Sequence, residues 1–241
     1  MTHEPFGAPP PAAAPHEPLR TFHPRRAALG RDRADALDRL WPALGLAVHD
    51  ETSWPRTVAG RLDTEALFGR HAPLVLEIGP GMGTATVALA TADPDRDVLA
   101  VEVHLPGVAN LLLLAERAGL TNLRIGYGDA LHLVRAGLEP GALDEVRAFF
   151  PDPWPKARHH KRRLVAPDHV RLLVSRLRPG GVLHVATDWL AYATTMREVL
   201  LADPDLAPLD EDRAGRPVTA FERKAAAAGR PATDLRFTRV G

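Results

Sequence analysis

Leu74-Val75-Leu76-Glu77-Ile78-Gly79-Pro80-Gly81-Met82-Gly83 carries a short apolar run straight into three glycines at alternate positions. Such a run, bounded by turn residues, reads as a strand buried on both faces. Thr84 to Ala92 follows with helical spacing. A strand, a glycine-rich turn and a helix in that order open a βα unit whose helix N-terminus faces the turn.

Outward from this unit the alternation continues. Val98 to Val103, Asn122 to Gly126, Leu143 to Phe150 and Val182 to Ala186 read as further strands, with a last one near Leu235 to Val240. Pro106 to Ala118, Ala130 to Ala136, Pro167 to Leu177 and Trp189 to Leu201 read as helices between them, with Pro179-Gly180-Gly181 expected to stop the third. Upstream, Leu37, Leu40, Trp41 and Leu44 repeat at helical spacing and Gly45 is expected to end that helix. Strands alternating with helices predict an α/β fold: a doubly wound, mostly parallel sheet, expected here with seven strands.

Composition narrows the function. The chain has 241 residues, 45% of them hydrophobic and 25% charged, which suffices for one sizeable core. Cysteine is absent, which excludes disulfides, thiolate metal sites and a thiol nucleophile. No apolar run is long enough to span a bilayer and the N-terminus has no signal-peptide core, so a cytoplasmic protein is expected. Residues 1 to 18 contain six prolines and almost no large apolar groups; they are expected to be a disordered tail ahead of one domain over 19–241. Lys and Arg number 30, equal to Asp and Glu, so no global field attracts nucleic acid. Only three of the 30 are lysines: Lys156, Lys161 and Lys224. Arg25, Arg26, Arg31 and Arg33 make a second basic group before the first helix.

Three acids close three successive expected strands. Glu77 precedes the glycine loop, Glu102 ends the second strand and Asp129 follows the third. In doubly wound sheets ligands bind at the carboxyl ends of strands, and an acid after the second strand accepts from ribose hydroxyls. Gly79, Gly81 and Gly83 form G-x-G-x-G, not the G-x-G-x-x-G that cradles a pyrophosphate. With Glu77 facing a cationic amino-acid end, the pattern favours S-adenosylmethionine over a nicotinamide dinucleotide. Asp129 is placed to accept from the adenine amino group, although each acid could also cap a helix.

The fourth strand ends in Phe149-Phe150-Pro151-Asp152-Pro153-Trp154-Pro155-Lys156-Ala157-Arg158-His159-His160-Lys161-Arg162-Arg163. Two prolines bracket Asp152 on a stiff loop. Trp154 is expected to offer a stacking face to a base, and the five cations from Lys156 to Arg163 read as a phosphate footprint. His159 and His160 are adjacent and cannot converge on one ion, so no metal is expected. Thr187-Asp188-Trp189 closes the fifth strand. Arg216-Pro217-Val218-Thr219-Ala220-Phe221-Glu222-Arg223-Lys224 reads either as part of the same site or as a helix start, with Thr219 capping and Glu222 three residues on.

These residues together resemble the bacterial tRNA (guanine-N7-)-methyltransferases, a family of class I S-adenosylmethionine-dependent enzymes with a Rossmann-like fold. The resemblance runs from about Thr21 to Val240 and rests on the Phe-Pro-Asp-Pro-Trp stretch with its cations, on Ala186-Thr187-Asp188-Trp189 and on Thr219 to Glu222. It implies methyl transfer to N7 of guanosine 46 in the tRNA variable loop, leaving S-adenosylhomocysteine. It implies cofactor contacts at Glu77, Glu102 and Asp129, and Asp152 as the catalytic acid touching cofactor or guanine. It implies substrate contacts at Lys156, Asp188 and Thr219, Ala220, Phe221 and Glu222. It also implies that Arg158, His159, His160, Lys161, Arg162 and Arg163 lie on the tRNA backbone. Pro155 departs from the pattern. The expected partner is tRNA, with no membrane and no obligate protein partner, the chain acting as monomer or homodimer. A small-molecule methyltransferase would share the cofactor motifs but lack the cation run. A non-catalytic RNA-binding module would not keep Glu77, Glu102 and the glycines.

Overall fold

A computed structural model describes residues 21, 29–48, 60–210 and 212–241. The tail reading for 1–18 and the arginines at 25 and 26 lie outside the described residues. Helices α1 (Arg31–Leu44), α2 (Thr64–Phe68), α3 (Thr84–Ala92), α4 (Leu105–Arg117), α5 (Ala130–Ala136), α6 (Pro167–Arg176), α7 (Leu190–Leu201) and α8 (Ala220–Ala227) alternate with strands. The strands are β1 (Gly45–Ala47), β2 (Leu74–Ile78), β3 (Asp97–Glu102), β4 (Leu123–Tyr127), β5 (Leu143–Phe149), β6 (Leu177–Thr187), β7 (Leu206–Pro208) and β8 (Thr233–Arg239).

They form one sheet in the order β1-β4-β3-β2-β5-β6-β8-β7. The first six in that order are parallel; β8 runs antiparallel to both β6 and β7. Chain order reverses between β2 and β5, so the topological switch point lies beside the glycine loop, where doubly wound folds bind ligands. Successive strand residues serve opposite faces. Val98 and Ala100 pack with Trp41, Val108 and Leu111 on one side, while Leu99 and Val101 pack with Leu131, Val170 and Tyr192 on the other. Burial on both faces explains the continuous apolar reading of β2 and β3.

The described sheet has eight strands, not seven. Six of the eight match stretches read as strands in the sequence, and the two that no stretch marked are at the edges: β1 and β7 each have three residues, too few to show a period of two. Pro179-Gly180-Gly181 is no helix stop either. Helix α6 ends at Arg176, and Leu177 already pairs with Leu143 in the sheet. Arg178 to Gly181 then bulge out before Val182 resumes pairing with Glu145. Gly45 does end α1, in extended backbone that starts β1, and only glycine fits there, since a Cβ would come within 2.1 Å of the Trp41 ring.

Candidate functional site

The carboxyl ends of β2 to β6 meet on one edge of the sheet. Gly79 donates to the Val101 carbonyl at 2.9 Å and Gly128 to the Glu102 carbonyl at 3.0 Å, so the loops after β2, β3 and β4 are tied together. Gly81 holds φ +60°, in the left-handed region that favours glycine. Helix α4 approaches this loop so closely that a Cβ on Gly107 would lie 2.4 Å from the Gly81 carbonyl oxygen. Gly107 is a site residue that sequence reasoning missed; its signal is a glycine in a helix's first turn with no capping purpose. Asn110, one turn further, donates to the Met82 carbonyl at 2.8 Å and accepts from Arg33 at 3.2 Å.

Glu77 is 2% exposed. Its Oε1 accepts from the Thr86 hydroxyl at 2.9 Å, and its Oε2 is buried without a hydrogen-bond partner. Burial pushes its carboxyl up to about 7, against the pull of the Arg147 charge and the Thr86 hydroxyl. A buried carboxylate oxygen with no donor is a costly group that a ligand cation would satisfy. That orphan oxygen, below an open glycine cradle with nothing near the would-be Cβ atoms of Gly79 and Gly81, fits the ammonium end of S-adenosylmethionine.

Glu102 behaves differently. Oε2 accepts from the Gly81 N–H at 2.9 Å, and Oε1 from the N–H groups of Val103 and His104 at 2.7 and 2.8 Å. Burial raises its carboxyl above the ordinary range despite those three donors. Three of about four acceptor positions are thus engaged by backbone. Glu102 therefore braces the loop after β2. Asp129 caps α5, accepting from the Leu131 N–H at 2.9 Å, so the helix-cap alternative holds for this acid.

On the other side of the switch point stand Asp152, Asp188 and the start of α8. Asp152 is half-buried beyond the end of β5. Asp188 is also half-buried and accepts from Arg230 at 3.1 Å. Thr219 caps α8, accepting from the Glu222 N–H at 3.2 Å, and Ala220 and Phe221 form its exposed first turn. The Phe221 ring meets Phe150 edge-on at 5.2 Å, which links α8 to the Asp152 loop. An open cavity of about 710 Å³ between α8 and the start of β8 has Val218, Glu222, Arg223, Thr233 and Asp234 in its lining, and neither Asp152 nor Asp188.

Three expectations change here. Glu222 is buried, with one carboxylate oxygen on Arg216 at 2.7 Å and the other on Arg213, so two of its about four acceptor positions are already taken by the protein. Arg216, which heads the stretch quoted from the sequence but was given no role there, also grips Asp234 with two bonds of 2.8 and 2.7 Å and lies 5.4 and 5.1 Å from the Phe149 and Phe150 rings. Burial pushes the Asp234 carboxyl up, but its bonds to Arg216 and His184 outweigh that and hold it at about 2. Trp154 is not a stacking platform: it is 4% exposed, its indole N–H donates to the Thr21 carbonyl at 3.0 Å, and Arg162 and His159 lie against its ring. Arg163 is 5% exposed and hence is not at a surface where phosphates arrive. Arg158, His160 and Lys161 are exposed on a 3-10 turn over Ala157–Arg162, with His159 and Arg162 half-buried and the exposed Lys156 just ahead of it.

Residues 71–235 match a family described as "Putative methyltransferase". The fold is similar to the crystal structure of the 16S rRNA methyltransferase KamB, with a TM-score of 0.58 at 19% identity, over 76% of this chain and 96% of that one. A tRNA (guanine-N(7)-)-methyltransferase of Streptomyces avermitilis is 48% identical over 228 residues, 92% of this chain and 76% of the relative. One of Mycobacterium avium is 45% identical over 240 residues, 98% of this chain and 92% of the relative. With the fold, the cofactor cradle and identity of this extent over nearly the whole chain, this protein belongs to the S-adenosylmethionine-dependent tRNA (guanine-N(7)-)-methyltransferase family.

Proposed function

We propose that this chain transfers a methyl group from S-adenosylmethionine to N7 of a guanosine in tRNA, at position 46 of the variable loop. The observation that carries this reading is the placement of Asp152. It follows β5, the strand hydrogen-bonded beside β2 and its glycine loop, and the same segment continues into the exposed cations Lys156, Arg158 and Lys161. One loop therefore joins the cofactor edge to a surface suited to phosphates. A small-molecule substrate would have no use for that surface.

The chemistry asks mainly for positioning. Guanine N7 carries an in-plane lone pair and no proton, so the nucleophile needs no base. Bound S-adenosylmethionine supplies a methyl group on a positively charged sulfur. The protein must hold the base in line with that bond. It must also prefer guanine to adenine, whose N7 is equally available. A carboxylate accepting from N1–H and the N2 amino group does so, since adenine offers neither donor. With Glu222 held by two arginines, Asp152 and Asp188 are the candidates for this contact. A carboxylate there also offsets the positive charge that develops on the purine. Glu77 holds the cofactor ammonium, Glu102 the loop and ribose, and Asp129 the adenine edge. Lys156, Asp188 and the Thr219 to Phe221 turn line the substrate side, and Arg158 to Arg162 meet the tRNA backbone. Residues 19–241 act as one domain in this reading, at work in the cytoplasm where tRNA is found.

Nucleoside analysis of tRNA from cells lacking the protein tests the reading. Loss of N7-methylguanosine, and its restoration in vitro on unmodified tRNA but not on tRNA with guanosine 46 replaced, is expected. Retained N7-methylguanosine would sink it.

A further inference from the structure

Phe150 and Trp154 flank Pro151-Asp152-Pro153, and both hold φ in the left-handed region, at +55° and +43°. Neither is a glycine, and conformations of this kind persist only where the surroundings over-determine them. The Phe150 end is fixed by its N–H, which donates to the Ala186 carbonyl at 2.7 Å, and by Arg216 over its ring. The Trp154 end is fixed by the buried indole. Between them, Pro153 has no N–H, so its backbone can be held only through its carbonyl. Arg163 does this: its Nε donates to the Pro153 oxygen at 3.0 Å.

Arg163 is itself held. Its Nη1 donates to the Thr195 hydroxyl on α7 at 3.3 Å, and its guanidinium lies 4.8 Å from the centre of the Tyr192 ring. Tyr192 is fully buried, with its hydroxyl accepting from the Val165 N–H at 3.1 Å. Fork, ring and hydroxyl thus aim one planar cation at the carbonyl next to Asp152. The neighbouring Lys161 points to solvent; Arg163 points inward.

We propose that Arg163 is a positioning residue for methyl transfer: through the Pro153 carbonyl it sets the place of Asp152, and it makes no phosphate contact. The proposal rests on the reading of Asp152 given above. A lysine at this place would keep the charge but lack the planar fork that reaches Pro153 and Thr195 while lying on Tyr192.

The test is single-turnover methyl transfer at saturating tRNA and cofactor for Arg163→Lys, Asp152→Asn and the double variant, with tRNA binding measured across salt. Arg163→Lys is expected to lower the saturated rate about ten- to a hundredfold, the scale of a small misplacement. The tRNA dissociation constant and its salt slope should stay within twofold. In the Asp152→Asn background the same change should add almost nothing, whereas a general structural role would add its full loss. An unchanged saturated rate with a shallower salt slope overturns the proposal, as does an additive double variant. If Asp152→Asn retains full activity, the reading of Asp152 fails first and takes this proposal with it. If Arg163→Lys does not fold, Thr195→Val removes only the hydroxyl that steers the fork; a rate loss of about threefold, absent in the Asp152→Asn background, supports the proposal, and an unchanged rate overturns it.

Discussion

Glu77 and Glu222 are both nearly excluded from solvent, at 2% and 6% exposure, and the protein treats them in opposite ways. Glu77, on the cofactor side of the switch point, keeps one buried oxygen without a partner. Glu222, on the substrate side, has each oxygen on an arginine. A buried carboxylate must find compensation somewhere. On the cofactor side a small cationic ligand can supply it each time it binds. Around α8 the carboxylates Glu222 and Asp234 instead form a permanent frame with Arg213 and Arg216. The two halves thus divide a binding charge from a scaffolding charge.

The strongest way to break this contrast is to remove the scaffold cation. Arg216→Ala leaves Glu222 and Asp234 short of their main buried partner. Stability should fall by about 3–5 kcal/mol, the usual cost of unpairing a buried charge. Thermal unfolding would show it, and a change of under about 1 kcal/mol would mean that Arg213 and His184 suffice.

Asp152 should feel no such structural cost. Asp152→Asn is expected to lower single-turnover methyl transfer by about 100-fold, equivalent to roughly 3 kcal/mol of electrostatic stabilisation. The melting temperature should hardly move, since Asp152 is only half-buried and on a loop. A solvent isotope effect well above unity on the chemical step would instead indicate proton transfer.

Glu77 gives the contrast a pH signature. Its carboxyl sits at about 7 in the ligand-free fold, against an ordinary value of 4.5, chiefly through burial. A raised carboxyl makes ionisation costlier in the fold than in the unfolded chain. The cost is absent below the ordinary range, grows between pH 4.5 and about 7, and is constant above. The ligand-free protein should therefore lose stability as pH rises through that window. Cofactor binding, which needs the ionised form, should strengthen by up to about tenfold per unit of pH below about 7 and then level off. Calorimetric titration with S-adenosylhomocysteine reads this, and Glu77→Gln should abolish the slope.

The smallest expected effect belongs to the exposed cations. Replacing Arg158 and Lys161 with Ala should reduce the slope of log affinity against log salt by about 0.7–0.9 for each phosphate no longer neutralised. Binding titrations with tRNA at several salt concentrations check it, and an unchanged slope would move the RNA path elsewhere.

Much of this protein was legible before any coordinates. The apolar runs from Leu74 to Leu76 and from Val98 to Val101 pointed to buried strands because parallel strands are covered on both faces. The glycines at 79, 81 and 83 and the acids at 77 and 102 marked the strand-end edge beside the switch point, since local backbone freedom and strand-end placement are properties of sequence neighbours. The strands β1 and β7 escaped because three residues carry no periodicity and are held only by a neighbour.

What only the tertiary structure decided is the partner of each charge. Nothing local distinguishes Arg163 from Arg162, or Glu222 from Asp188. Arg163 turns inward because Pro153, Thr195 and Tyr192 from distant parts of the chain converge on it. Glu222 is silenced by Arg213 and Arg216, and Asp234 by Arg216 and His184 across two strands. Burial and pairing are sums over neighbours in space. A sequence names the charges near a site, and only the packed fold settles which of them are left for a ligand.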